Sequence, residues 1–179
     1  LNHWWGRYWV GSGIPIQTRG GLKYEYIDPY LKPCGKHYPS LVSIYAEGNS
    51  GTFQNRYLLD KFYPGVVRLA LRYEIPIIPT AMIGFRKAIP ILKDKYNSHG
   101  PNFPIVMVPP LPLKLKIVFG EPFELSQYYG CSLKREEEFW VANHIVRQKV
   151  ADVWSQYEPV ALGNVDEPMS EPVKSGQIR

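Results

Sequence analysis

Two polar residues stand where short apolar runs end. Arg19 closes residues 13–19 (GIPIQTR), which read as a short strand running into a loop before Gly20-Gly21. Glu47, followed by Gly48, comes directly after residues 41–46 (LVSIYA), a run with the length and β-branching of a buried strand. An arginine binds phosphate bidentately and keeps its charge at any working pH. A carboxylate at position 47 can accept a hydrogen bond from a hydroxyl, or hold a neighbouring arginine in place. Other chemistries have less behind them. Ser40 lies near His37, but no Gly-x-Ser-x-Gly elbow presents a nucleophile. Gly11-Ser12-Gly13 precedes a strand instead of following one, so it is no phosphate loop. Cys34 and Cys131 lack the paired spacing of a zinc site and cannot form a disulfide framework, which makes a reducing compartment the default. No metal site is expected, and His144, beside the apolar seam of a helix, reads as structural.

The elements that must position these residues follow from periodicity. Residues 63–72 (YPGVVRLALR) have helical spacing, with Val66, Leu69 and Ala70 on one face and Pro64 in the first turn. Residues 75–83 (IPIIPTAMI) read as a second buried strand, and 113–119 (LKLKIVF) as a strand with one wet face, ended by Gly120-Glu121-Pro122. Residues 93–112 read as an irregular, proline-rich passage. Residues 136–157 read as a long amphipathic helix with a seam at Phe139, Ala142, Val146, Val150 and Val153. Its three opening glutamates suit the positive end of the helix dipole. From residue 159 the chain is polar and rich in Pro, Gly and Glu, and reads as a disordered tail. This order predicts an α/β fold, a mixed, mostly parallel sheet flanked by helices. In such sheets ligands sit beyond the carboxyl ends of the strands, which puts the Arg19 and Glu47 loops on one functional rim.

With 179 residues, 45% of them apolar and 21% charged, the chain is globular material of one-domain length. Its longest apolar stretches are short and broken by prolines, whereas a membrane-spanning helix needs about 20 apolar residues. The net charge of +5 suits either nucleic acid or an anionic membrane surface. The basic residues are spread thinly, without the stripe that nucleic-acid binding calls for. Trp4, Trp5, Tyr8 and Trp9 crowd the start, and such rings favour the boundary between lipid and water. Composition therefore leans toward a body working beside a membrane.

Three segments together resemble the lysophospholipid acyltransferase family. Gly13-Ile14-Pro15-Ile16-Gln17-Thr18-Arg19 looks like its second motif, Tyr45-Ala46-Glu47-Gly48 like its third, and Ile75-Pro76-Ile77-Ile78-Pro79-Thr80 like its fourth. The helix at Gly65-Val66-Val67-Arg68-Leu69-Ala70 and the late Val118-Phe119-Gly120-Glu121-Pro122 have the family's character too, and the separation of Arg19 from Glu47 is close to the usual one. The resemblance implies a glycerolipid acyltransferase-like fold over residues 1–158 and transfer of an acyl group to the hydroxyl of a lysophospholipid or related acceptor. The donor would be acyl-CoA or acyl-carrier protein, with no further cofactor. Arg19, Glu47, Gly48 and Arg56 would bind substrate, on a chain lying peripherally on the cytoplasmic side of a membrane without nucleic acid.

The sequence departs from the family in two places. After Glu-Gly the family commonly has Thr-Arg, and here Asn49 and Ser50 stand instead. Either Arg56 replaces the missing charge, or the acceptor is not a phosphate ester. The family also uses His-x-x-x-x-Asp, a base that deprotonates the hydroxyl and an aspartate that fixes its tautomer. The residues five positions after the four histidines are Tyr8, Val42, Pro104 and Lys149, none an aspartate. His3, within Asn2-His3, lies too close to Arg19 to be that base. The expectation is that the catalytic pair lies upstream and that these residues alone are inactive. The rival expectation is a non-catalytic lipid- or membrane-binding module on the same scaffold.

Overall fold

The computed structural model describes residues 23–48, 58–95, 103–106 and 111–173. The chain divides into two compact units, Leu1–Ile44 and Tyr45–Arg179. In the first, a 3-10 turn at Tyr24–Tyr26 runs into α1 (Asp28–Leu31), whose first turn carries Pro29. Ile27 and Leu31 are buried. The His37 ring stacks on Tyr30 with centroids 4.9 Å apart. The Ser40 hydroxyl donates to the His37 backbone carbonyl, so it is engaged away from the imidazole that a nucleophile would need.

The second unit contains β1 (Leu58–Leu59), α2 (Gly65–Tyr73), β2 (Thr80–Ile83), α3 (Phe85–Ala88), β3 (Ile91–Lys95), β4 (Phe103–Val106) and β5 (Lys116–Phe119). A long helix follows, made of α4 (Arg135–Val141), a π turn (Ala142–Val146) and α5 (Arg147–Ser155), and then β6 (Ala161–Leu162). The mixture of helices and strands is the α/β class expected. The strand pairing is not mostly parallel among the described residues. Among the described residues the strands form three separate pairs, of which only β1 with β6 is parallel. β2 pairs antiparallel with β5, Thr80 opposite Phe119 and Ile83 opposite Lys116, and β3 pairs antiparallel with β4. The last pairing runs through part of the passage expected to be irregular.

Both long helices form where the apolar spacing places them. Leu69 and Ala70 of the expected face of α2 are buried, with Val67 buried in place of the half-buried Val66, and Glu74 in a left-handed conformation closes the helix by donating to the Ala70 carbonyl. Along the second helix Phe139, Ala142, Val146 and Val153 are buried with Val141 and Ala151. Its start is fixed by the Lys134 amide donating to Glu137 Oε2 at 2.7 Å. Arg68 Nε donates to Glu138 Oε2 at 2.8 Å, tying α2 to α4. Leu125 and Tyr128 complete the core that these helices share with Leu59 and Phe62.

Three of the strands read from sequence are shorter than expected or unpaired among the described residues, 113–119 being a strand only from Lys116. Residues 41–46 pair with no strand among the described residues. Exposure still alternates along them, with Leu41 78% exposed, and the Tyr63 amide donates to the Ala46 carbonyl at 2.8 Å. Residues 75–83 become a strand only from Thr80, because Pro76 and Pro79 remove ladder donors before it. Gly120 ends β5 against α5: a β-carbon there would meet Val153 Cγ2 at 2.4 Å and Pro79 Cγ at 3.0 Å. The segment after residue 159, read as a disordered tail, is described to residue 173 and carries β6. Lys61 Nζ also pairs with Glu167 in that segment.

Candidate functional site

Glu47 is the sequence-picked residue that the structure places in a polar cluster. It sits in a turn closed by the Gly48 amide donating to the Tyr45 carbonyl at 3.0 Å. Gly48 has φ +63°, the left-handed region, where a side chain is strained. The Asp60 amide donates to Glu47 Oε1 at 2.8 Å. The Glu47 turn is thus bound to residues 58–63 at two points, through Asp60 and through the Tyr63 amide.

Residues 58–63 are in turn held by helices. Arg86 Nη2 of α3 donates to the Leu58 carbonyl at 3.3 Å, with its guanidinium 4.2 Å from the centre of the Trp154 ring. Arg147 of α5 donates from Nη2 to the Leu59 carbonyl at 2.5 Å and to the Gly163 carbonyl at 2.6 Å. Asn143 of the π turn accepts from the Phe62 amide at 2.9 Å and donates to the Phe62 carbonyl at 3.0 Å and the Phe139 carbonyl at 2.9 Å. Asn143 and Arg147 are spaced as i and i+4, so one helix face reaches both ends of the segment.

The electrostatics follow from burial. Desolvation holds the Glu47 carboxyl above its ordinary value. The Asp60 amide and the positive charges of Arg86 and Arg147 oppose that rise, while the Asp60 carboxylate adds to it. Arg147, only 3% exposed, has its proton affinity lowered by burial, and Asp60 and Glu47 act against that. Its Nε is buried and has no hydrogen-bond partner among the described residues. The charges that act on one another here are thus the carboxylates of Glu47 and Asp60 and the guanidiniums of Arg86 and Arg147. This arrangement can hold a carboxylate in a fixed orientation, and a fixed carboxylate can accept a hydroxyl's hydrogen bond.

Arg19 and Arg56 lie outside the described residues, so of the four expected binding positions only Glu47 and Gly48 are placed. Sequence reading missed Asp60, Arg86, Asn143 and Arg147. A signal existed for Asn143, a polar residue next to the apolar seam at Ala142 and Val146. Among the described residues no helix is long and apolar enough to cross a membrane. No group of three His, Cys, Asp or Glu side chains there is placed to hold a metal ion.

No family model matches this sequence. No solved structure matches it. It is similar to uncharacterized proteins of Mycobacterium tuberculosis and Mycobacterium bovis, 35% identical over 105 residues, taking in 49% of this chain and 29% of each relative. An uncharacterized protein of Mycobacterium leprae is 32% identical over the same extent. The chain thus spans less than a third of the length of the curated relatives it matches.

Proposed function

We propose that this chain is the acceptor-binding part of a membrane-associated glycerolipid acyltransferase. The observation that carries the reading is the Glu47–Gly48 turn, where a carboxylate is pinned by the Asp60 amide beside two arginines. It supports Glu47 as a preorganised acceptor for the hydrogen bond of a lysolipid hydroxyl, since its orientation is set before any ligand arrives. The sequence order of the three motifs supports the same reading. In the reaction proposed, the acceptor hydroxyl oxygen attacks the thioester carbonyl carbon of acyl-CoA or an acyl-carrier protein. An ester bond forms, the carbon–sulfur bond breaks, and the hydroxyl proton passes to a histidine outside these residues and from it to the departing thiolate. Basic and aromatic side chains would keep the chain at the cytoplasmic face of the bilayer.

One observation favours a second reading, a lipid- or membrane-binding module without chemistry: no histidine here is followed by Asp five positions later. The test has two arms. The 179-residue chain should bind lysophosphatidate micelles, with affinity reduced several-fold by Glu47→Ala, yet should transfer no acyl group from acyl-CoA above background. Absence of lysolipid binding overturns the acceptor-site reading, and turnover that depends on His3 overturns the assignment of the base. A longer native chain bearing Asn-His-x-x-x-x-Asp and turning over acyl-CoA favours the enzyme; a native chain that binds lysolipid without turnover favours the module.

A further inference from the structure

Glu47 and Arg147 grip opposite ends of one peptide group. The Leu59 carbonyl oxygen accepts from Arg147 Nη2 at 2.5 Å, and the adjoining Asp60 amide donates to Glu47 Oε1 at 2.8 Å. Resonance couples that oxygen and that nitrogen. A cation at the oxygen draws electron density across the bond and makes the N–H a stronger donor, so the two hydrogen bonds reinforce each other. We infer that Arg147 is a positioning residue for Glu47, acting through the Leu59–Asp60 peptide.

The alternative is a purely mechanical arginine. Arg147 also donates to Gly163, next to β6, and a clamp on the β1–β6 pair would need nothing from Glu47. Three observations favour the positioning role. Arg147 is almost wholly buried, where a charge is costly unless it is used against an opposite one. The opposite charges that act on it are Asp60 and Glu47. Asn143, one helical turn earlier, holds the backbone on the far side of Asp60, so the peptide between the two is fixed in direction as well as polarised. The groups that face Glu47 are Asp60, Arg86 and Arg147, and Arg86 donates to the preceding carbonyl, Leu58. The bearing of this pair on acceptor binding rests on the reading of Glu47 proposed above; the coupling itself does not.

The experiment is an NMR titration of the 179-residue chain carrying 13C-labelled glutamate and leucine and 15N-labelled amides, with amide exchange measured on the same samples. In Arg147→Met the Glu47 carboxyl should titrate at higher pH than in the wild type, and the Asp60 amide should exchange about tenfold faster, as loss of one reinforced bond predicts. Arg147→Lys, which returns a cation to the Leu59 oxygen, should recover most of both changes. A folded Arg147→Met chain with Glu47 titration and Asp60 exchange unchanged overturns the inference. If Arg147→Met does not fold, the wild type decides: the Leu59 carbonyl 13C resonance should move with the Glu47 titration, and a static resonance overturns it. Lysophosphatidate micelles added to the wild type separate the two proposals, because absent binding with an intact titration coupling defeats only the acceptor reading.

Discussion

The ring of Tyr63 stands where a side chain on Gly48 would have to go: a β-carbon there would lie 2.9 Å from Tyr63 Cδ2. The ring is itself set edge-on to Phe139, with centroids 6.0 Å apart, and its backbone amide is bonded to Ala46. Gly48→Ala must therefore both push a packed ring and adopt a left-handed backbone. The expected loss of stability is about 1–3 kcal/mol. Urea unfolding measures it, and Gly48→Ala with Tyr63→Leu should regain only the steric share. A Gly48→Ala chain as stable as the wild type would mean that the turn is not held as described.

Asn143 makes three hydrogen bonds while 6% exposed. Asn143→Leu keeps the volume but strands the amide and carbonyl of Phe62 in the core. A loss of about 2–4 kcal/mol is expected by denaturant titration. A loss below about 0.5 kcal/mol would show that water reaches both groups.

Glu47 gives stability a pH dependence of defined sign. Its folded-state affinity for a proton is raised, mainly by desolvation. Between the ordinary carboxylate range and that higher value the folded chain binds more protons than the unfolded one. Stability due to this group therefore falls as pH rises through the window. Glu47→Gln removes the dependence, so the variant should gain on the wild type as pH rises. Parallel stability curves for the two proteins would contradict it.

Residues beyond 159 should matter to the body of the unit. Removing 159–179 deletes β6, the Glu167 partner of Lys61 and the Gly163 carbonyl bonded to Arg147. The shortened chain should be less stable by about 1–3 kcal/mol, since a buried guanidinium loses an acceptor. Unchanged thermal unfolding would make this segment an appendage.

Membrane contact is the last expectation. Net charge +5 and the tryptophans at positions 4, 5 and 9 predict binding to anionic vesicles. Each basic side chain near an anionic headgroup contributes about 1 kcal/mol. Co-sedimentation should weaken with salt, and again when Trp4, Trp5 and Trp9 become alanine. Binding indifferent to lipid charge and salt would instead point to exposed apolar surface, such as the face bearing Ile117 and Phe119, the latter 65% exposed.

What the sequence made legible was whatever rests on local periodicity. The helix at Gly65–Tyr73 and the long helix with its buried seam are where apolar spacing put them, and β5 lies inside its expected run. Strand pairing was not legible, because β-branching at 41–46 describes a backbone's preference and says nothing of who supplies its ladder. The pairing of β3 with β4 was hidden by the prolines around it. At the site, Glu47 was readable from its place after an apolar run. Arg147 and Asp60 were not, since they reach the cluster through backbone groups of Leu59 and Asp60 that any sequence would possess.

The π turn gives the long helix a spare residue that its composition does not reveal. The Arg147 amide donates to the Ala142 carbonyl, five residues back, so one residue more than an α-helix would use is lodged in this turn. Each residue advances a helix by about 100°. Deleting one residue between Asn143 and Arg147 would restore an ordinary ladder, and because the π turn has already absorbed that residue, the helix after it would keep nearly its present bearing. Inserting one more residue there would instead swing Arg147 around the axis, away from Leu59. The π turn is thus the place where this helix can shed a residue, and not gain one, while Arg147 still reaches the segment that Asn143 holds.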